Sequence, residues 1–393
     1  MTRSAGASRG KARSVPFRGT VGAAALAVAC GAAANAAGAF DTTESVYAER
    51  AADAVAAGRI KAECLPSAAT AVDPAYRPIP APSAELVEAA RAEGSFVLNS
   101  GISDKPSVDA YQAAFQMRYP EIRMSISYGG GPNMEERFMA DHAAGSSAVD
   151  AVISVRPSWV AKAMKEGAIL PLDNTIPGFF DAWPGDFWVL DTGAGRTATA
   201  FYRPIGIAYN SDLVTEELAP RSYQDLTRPE FKDQLLGLDP QAAGIYAGVW
   251  KHILDSAGED TMRALGENLI KTPLYADIQP AAQALGAGAG MVIMEMGGNI
   301  AQTMRSNGAS VEVVIPEDAT GSQYAYAVSS QAPHPNAAAL FAYWLYSAEG
   351  QWVMSCSALA GTVAYPEHGA EHFAPVTAVA PEEMTRIREL LGL

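Results

Sequence analysis

The chain has 393 residues and is acidic, with 28 Lys and Arg against 43 Asp and Glu and a formal net charge of −15. This balance excludes nucleic acids and anionic membrane surfaces as predicted partners, because both are bound by basic surfaces. The chain is also longer than one hydrophobic core usually serves, which predicts two lobes, each with its own core.

The first 36 residues have the pattern of a secretory signal peptide. Five basic residues precede the apolar run 21–30, and the first acidic residue is Asp41. The run is shorter than the about 20 residues of a membrane span, and it is rich in Ala and Gly. We therefore predict export to the periplasm, with cleavage after residues 34–36 (ANA) and a mature chain of net charge about −20. Lipoprotein anchoring at Cys30 is the alternative, although Ala27 stands where such a motif usually has Leu.

Ordinary cleavage leaves two cysteines, Cys64 and Cys356. An even number in an oxidising compartment allows a disulfide. The sequence does not fix whether the two Cβ atoms come within reach, so a disulfide and two free thiols both stay open.

Residues 37–83 are predicted to be an N-terminal extension: a helix over 43–57, followed by a strap whose clustered prolines favour an extended chain. From Ala84 the pattern alternates between helix and strand. Helices are predicted over 85–93, 107–119 and 134–144, with strands over 96–99, 122–127 and 148–154 and a turn at Gly129–Pro132. The alternation predicts an α/β fold with a mostly parallel sheet and helices on both faces.

Short segments from 84 to 364 carry a family resemblance. They are EGSFVL (93–98), AF (114–115), YP (119–120), VDAVIS (149–154), GAILPL (167–172), GIAYN (206–210), 223–231 followed by DP (239–240), AVS (327–329), PHPNA (333–337) and YSAEGQ (346–351). In this order they resemble bacterial extracellular solute-binding proteins of the family-1 type, particularly the ferric-ion-binding-like branch.

The resemblance implies a two-lobed type II periplasmic binding protein fold with two hinge crossings, near 204–210 and 322–327. Lobe one would comprise 84–203 and 322–364, lobe two 204–321, and a C-terminal tail helix 365–393. It also implies a protein without catalysis or cofactor, whose partners are a small-molecule solute and the membrane permease of an ABC importer. We expect a monomer.

Seven residues near predicted strand ends are candidate ligand contacts, because α/β folds bind ligands at the carboxyl ends of strands, where helix N-termini present free N–H groups. They are Ser103, Gly131, Ser154, Arg156, Gln241, Tyr246 and Glu295. The alternative roles are a helix cap for Ser103 together with Asp104, a turn for Gly131, a surface ion pair for Arg156, a buried structural tyrosine for Tyr246 and a solvated glutamate for Glu295.

Arg156 is the residue predicted to anchor the ligand. A guanidinium forms forked hydrogen bonds with a carboxylate or phosphate, which favours an organic anion as the solute. Ferric iron is less favoured, because the ferric branch commonly has adjacent tyrosines after the strand that corresponds to 291–294. This chain has Glu295-Met296-Gly297 there, and no Tyr-Tyr pair. A polyol or an amine remains an alternative.

Residues 368–372 (HGAEH) match an inverted zinc-protease motif. They lie between Pro366 and Pro375, with about 20 residues left to supply a third ligand. We therefore predict an exposed tail helix there and no metal site. Two further alternatives are a secreted enzyme on the same fold and a receptor that signals to a membrane kinase.

Overall fold

The computed structural model describes residues 45–67, 70–129, 131–184, 189–366, 369–370 and 372–393. The predicted signal peptide and Cys30 lie outside this range. Among the described helices, none combines the length and the apolar character of a membrane span.

The described helices and strands alternate along most of the chain. The helices are α1 (Ser45–Ala56), α2 (Ala84–Glu93), α3 (Lys105–Arg118), α4 (Gly131–Ala143), α5 (Pro157–Lys165), α6 (Leu172–Thr175), α7 (Phe179–Ala182), α8 (Gly244–Asn268), α9 (Ile278–Gly286), α10 (Gly298–Ser306), α11 (Pro335–Tyr346), α12 (Ala348–Ala358) and α13 (Pro381–Leu391). The strands are β1 (Ser95–Ser100), β2 (Arg123–Tyr128), β3 (Ala151–Ser154), β4 (Val189–Asp191), β5 (Arg196–Asn210), β6 (Leu235–Leu238), β7 (Leu269–Tyr275), β8 (Val292–Gly297), β9 (Val311–Val314), β10 (Asp318–Val328) and β11 (His372–Pro375).

The elements predicted between 84 and 154 are confirmed to within a few residues, with one correction. The predicted turn at Gly129–Pro132 is wrong at its end, because α4 already begins at Gly131. A proline is tolerated in the first turn of a helix, where its missing N–H would have no partner in any case.

Strand β5 connects two groups of parallel strands. In the first group β1 pairs in parallel with β2 and β3, and in the second β6 pairs in parallel with β7 and β8. The first half of β5 is joined to β3 through β10, with both pairings antiparallel. The second half pairs antiparallel with β8. The fold is therefore an α/β fold in which β5 passes from one lobe to the other.

The pairing registers aim the carboxyl ends of the two groups at each other. Since β3 runs in the same direction as β5 and β8 runs against it, their ends point to the same stretch of β5. Ser154 of β3 is level with Thr199 through β10, and Gly297 of β8 is level with Ile205. The two levels are six residue steps apart along β5, which is roughly 20 Å.

Each lobe has its own apolar core. In the first, the rings of Phe96 and Phe115 lie 5.0 and 5.1 Å from that of Phe341. In the second, the fully buried Trp250 packs in one cluster with Phe231. Two cores of this kind explain how a chain of this length buries its apolar side chains.

The predicted crossings at 204–210 and 322–327 lie in β5 and β10, and the C-terminal segment adds a third strand beside them. β11 pairs in parallel with β10, which sets Pro204, Gly321 and Pro375 side by side. Beyond β11, α13 packs on α8 of the second lobe and buries Ile387 and Leu390.

The expected exposed helix at 368–372 is wrong. Gly369 and Ala370 are not helical, and His372 begins β11, while His368 and Glu371 lie outside the described residues. Without β11, this edge of β10 would leave its backbone N–H and C=O groups unpaired. Pairing there gives the segment more backbone hydrogen bonds than a short helix confined between two prolines.

The N-terminal extension is fastened to the first lobe. Arg50 Nη1 donates to the carbonyl of Met117 at 3.0 Å, and Trp352 Nε1 donates to that of Leu65 at 3.2 Å. Cys64 and Cys356 form a disulfide, with their Cα atoms 5.4 Å apart. The structure thus favours the bonded alternative and joins the extension to α12.

Replacing both cysteines (Cys64→Ser/Cys356→Ser) is expected to lower the free energy of unfolding by about 2–4 kcal/mol, because the unfolded chain would lose a cross-link between residues 292 positions apart. Denaturant unfolding of the mature protein measures this loss. A reducing agent should destabilise the wild type equally and leave the double variant unchanged. Equal stability of the two proteins would contradict the prediction.

Candidate functional site

Strands β5 and β10 run past the opposed strand ends. Arg203 of β5 is a charged residue in this stretch, where it pairs with Ser322 of β10. Its Nη1 donates to Asp104 Oδ2 at 2.6 Å, and its Nη2 donates to Ser107 Oγ at 2.7 Å. Asp104 also accepts from the N–H of Ser107 as the cap of α3. The pair therefore fixes the start of α3 to the crossing strand.

Both members of this pair are ionised. Burial acts to raise the pKa of Asp104, but the charge of Arg203 and the hydrogen bonds from Ser107 outweigh it and hold the pKa below its usual value. Burial acts to lower the pKa of Arg203, and Tyr324 and Asp104 together raise it above the ordinary value. The guanidinium also lies 5.8 Å from the ring centre of Tyr324.

Polar atoms around this pair lack partners. Among the described residues, none forms a hydrogen bond with Nε of Arg203 or with Oγ of Ser357, and both atoms are buried. The two residues meet at Ser107, whose Oγ accepts from Nη2 of Arg203 and lies 3.4 Å from the carbonyl oxygen of Ser357. Unpaired buried polar atoms cost about 1–3 kcal/mol each. Both atoms are therefore candidates for a hydrogen bond with a bound molecule.

A second arginine–carboxylate pair lies at the ends of β2 and β3. Glu135 of α4 accepts from Ser154 Oγ and from Arg156 Nη1, both at 2.7 Å. Burial raises the pKa of Glu135, and the hydrogen bond from Ser154 and the charge of Arg156 offset only part of that rise. The side chain of Arg156 is 45 % exposed. It opens onto a cavity of about 470 Å³ lined by Glu135, Glu136, Met139, Arg156, Ser158, Trp159 and Lys162.

The remaining candidates of the first lobe lie in neighbouring loops. Ser103 is exposed, and Asp104 rather than Ser103 caps α3 with its side chain. A Cβ placed on Gly129 would lie 3.8 Å from Cα of Ser103, so the loops after β1 and β2 are adjacent. Gly131 is the first residue of α4, at the same edge of the sheet.

The candidates of the second lobe occupy three different environments. Gln241 is exposed, and its N–H donates to Asp239. Tyr246 is 8 % exposed, and its hydroxyl accepts from the N–H of Ile278 at 3.2 Å, where α9 begins. Glu295 is 4 % exposed, and neither carboxyl oxygen has a hydrogen-bond partner of good geometry among the described residues.

The structure therefore brings Ser154 and Arg156 together around Glu135, and it places Tyr246 and Glu295 inside the second lobe. Arg203 was not among the residues predicted from the sequence, although the sequence contains a signal for it. Arg203 is the one charged residue in the run TATAFYRPIGIAYN (197–210). A charge inside an apolar strand is costly unless it is paired, which marks such a residue as functional or ion-paired.

The chain was compared with known proteins. A family model described as bacterial extracellular solute-binding protein matches residues 146–379. The comparison with curated proteins gives no match. Several solved structures share the fold at low sequence identity.

One is a substrate-binding protein of an ABC transporter from Agrobacterium tumefaciens, at 18% identity and TM-score 0.57, covering 77% of this chain and 96% of that one. Another is FutA from Trichodesmium in complex with iron and citrate, at 17% and 0.54, covering 76% and 98%. A third is the spermidine/putrescine transporter substrate-binding protein PotD from Streptococcus pneumoniae, at 16% and 0.53, covering 75% and 97%. At these identities the likeness shows the fold alone.

Glu295→Gln is expected to flatten the dependence of stability on pH. Burial raises the pKa of Glu295 from 4.5 to about 8, against a smaller lowering by the amides of Glu295 and Met294. The folded protein thus keeps a proton that the unfolded chain loses. Its contribution to stability is fully present below about pH 4.5 and is lost as the pH rises through about 8.

Urea unfolding between pH 5 and 9 measures this slope. The exposed Glu230 of the same lobe gives a matched control, because Glu230→Gln should leave the slope at its wild-type value. A Glu295→Gln protein with the wild-type slope would show that this carboxyl is ionised in the folded state.

Proposed function

Because the chain belongs to the bacterial extracellular solute-binding proteins, we propose that it captures a small solute between its two lobes and passes it to the membrane permease of an ABC importer. The signal pattern of residues 1–36 supports delivery to the periplasm. We propose that it acts there as a monomer, without turnover and without a cofactor.

The observation that carries this proposal is the opposed strand ends. The carboxyl edges of two parallel sheets face the same stretch of β5, and such edges are where α/β folds bind ligands. Arg203 and Ser357 leave unpaired polar atoms there. In this proposal lobe one comprises 84–203 and 322–364, lobe two comprises 204–321, and the tail 365–393 joins lobe two through α13.

The proposed solute is an organic anion held by Arg156. Nη1 of this guanidinium donates to Glu135. The side chain of Arg156 is nearly half exposed, so its other N–H groups are available as donors towards the cavity. Arg156 also stands directly before α5, where the first N–H groups of a helix favour an anion. Ser103 and Gly131 of the first lobe and Gln241 of the second lobe are proposed as further contacts.

Arg156→Ala is expected to weaken binding by about 1.5–3 kcal/mol, the scale of a lost charge-assisted hydrogen bond. Arg156→Lys should recover only part of this, because an ammonium lacks the planar fork. A thermal-shift screen of small carboxylates and phosphate esters first identifies a ligand, and calorimetry then compares the variants.

Two controls separate binding from folding. Arg137→Ala removes an exposed arginine from α4 and should bind as the wild type does. Glu135→Gln/Arg156→Ala removes both charges of the pair, so no carboxylate is left without its partner. Wild-type affinity in this folded double variant would contradict the role of Arg156. A product released in excess of the protein would contradict a binding function.

The protein is not expected to depend on ferric iron. The purified mature protein should show no phenolate-to-iron charge-transfer band after incubation with ferric citrate, because Glu295-Met296-Gly297 stand where ferric receptors have tyrosines. Visible absorption before and after chelation measures this. A band that chelation abolishes would contradict the prediction and favour a ferric receptor.

A further inference from the structure

Leu359 has a backbone conformation that its residue type rarely adopts. It follows the last residue of α12 and lies in the left-handed region, with φ 49° and ψ 50°. Glycine is the usual residue at this position of a helix end, because a Cβ crowds the backbone there. A leucine in this place is therefore strained, and strained residues cluster at functional sites such as ligand clamps and switch regions.

The leucine side chain points to the other lobe. A Cβ placed on Gly298 would lie 3.4 Å from Cδ1 of Leu359 and 3.9 Å from its Cβ. Gly298 is the first residue of α10, next to Gly297, which pairs with Ile205 on β5. Leu359 thus meets the second lobe at the edge that faces the cleft.

Leu359 belongs to neither core. Its neighbours Ala358 and Ala360 are buried in the core of the first lobe, whereas the apolar clusters of the described residues do not include Leu359, which is only partly buried. Packing within its own lobe therefore does not explain a strained leucine here.

The segment around Leu359 is held firmly on both sides. On one side the carbonyl oxygen of Ser357 lies 3.4 Å from Ser107 Oγ at the start of α3. On the other side Gly361 and Tyr202 exchange backbone hydrogen bonds of 2.8 and 3.0 Å. These contacts fix the leucine to α3 and to the crossing strand, so it presents a preset apolar surface to α10.

We propose that Leu359 is an interlobe contact residue that stabilises the closed arrangement of the two lobes through apolar contact with the start of α10. The inference rests on the proposed function, since closure around a solute is what the contact would serve. Opening of the cleft must carry α10 away from α12 and expose the leucine to water, which is unfavourable.

The test uses Leu359→Gly. We expect it to stabilise the fold, or leave its stability unchanged, and to destabilise the closed arrangement of the lobes. Glycine relieves the backbone strain, so the melting temperature should stay at the wild-type value or rise. Loss of the apolar contact should shift the lobes towards the open arrangement. Distances between spin labels at Glu166→Cys and Glu230→Cys, one on each lobe, report this shift in the ligand-free mature protein.

Two matched variants complete the design. Leu359→Ala removes the contact but keeps a Cβ in the strained conformation, so it should open the lobes without raising the melting temperature. Among the described residues, Asp233 is the other residue besides glycine with a positive φ, at 55°. Asp233→Gly relieves its strain and should leave the label distances unchanged.

An unchanged distance distribution in Leu359→Gly would overturn the proposal, and so would a lowered melting temperature, since that is the behaviour of a core leucine. For any ligand identified by the screen, Leu359→Gly should weaken binding by about threefold to tenfold, the scale of one or two methylene groups. The label distances need no ligand, so failure of the solute-binding proposal alone would leave this result standing.

Discussion

The fold depends on the register of one strand, β5. Its first half is tied to β3 through β10, and its second half pairs against β8. These two pairings determine the direction in which each parallel sheet ends. If either half were paired in the other direction, one carboxyl edge would face outwards, and the helix N-termini of the two lobes would not share a space. The helix starts at Gly131, Gly244 and Gly298 all follow strands that end at these edges.

The charges at this space are mostly balanced locally. Arg203 is paired with Asp104, and Arg156 is paired with Glu135, while burial favours the neutral form of Glu295. The long-range field of such a site is weak, although the chain as a whole is strongly acidic. A ligand would therefore be selected by the fixed direction of hydrogen-bond donors rather than by net charge. Donors held in place by a carboxylate partner are better oriented than free side chains on the surface.

The sequence predicts those parts of the fold that depend on local pattern. The helices and strands from 84 to 154 follow from hydrophobic periodicity and from caps such as Asp104, whose side chain bonds the third residue after it. The tail also had a local signal: Ile387, Leu390 and Leu391 lie at helical spacing and form the face that docks on α8. This spacing predicts a docked helix over 381–391, whereas the proline-flanked motif at 368–372 favoured an exposed one.

Contacts between distant residues were beyond the reach of the sequence. Arg203 stands 99 residues from Asp104, and only the fold brings the two together. The pairing of Cys64 with Cys356 depends on where the extension lies against α12, so local pattern left both alternatives open. Glu135 was predicted only as part of a helix, because nothing around it in the chain indicates that its partners lie at the end of β3.

The row formed by Pro204, Gly321 and Pro375 has a consequence for the cost of bending. Each proline lacks a backbone N–H, so this row of the ladder has fewer interstrand hydrogen bonds to break than an ordinary row of three residues. Gly321 has no side chain, and a Cβ there would lie 2.0 Å from the carbonyl oxygen of Arg203, so the three strands can approach closely at this row. Bending would therefore concentrate at a single row of the sheet, and each lobe would turn about that row as a nearly rigid body.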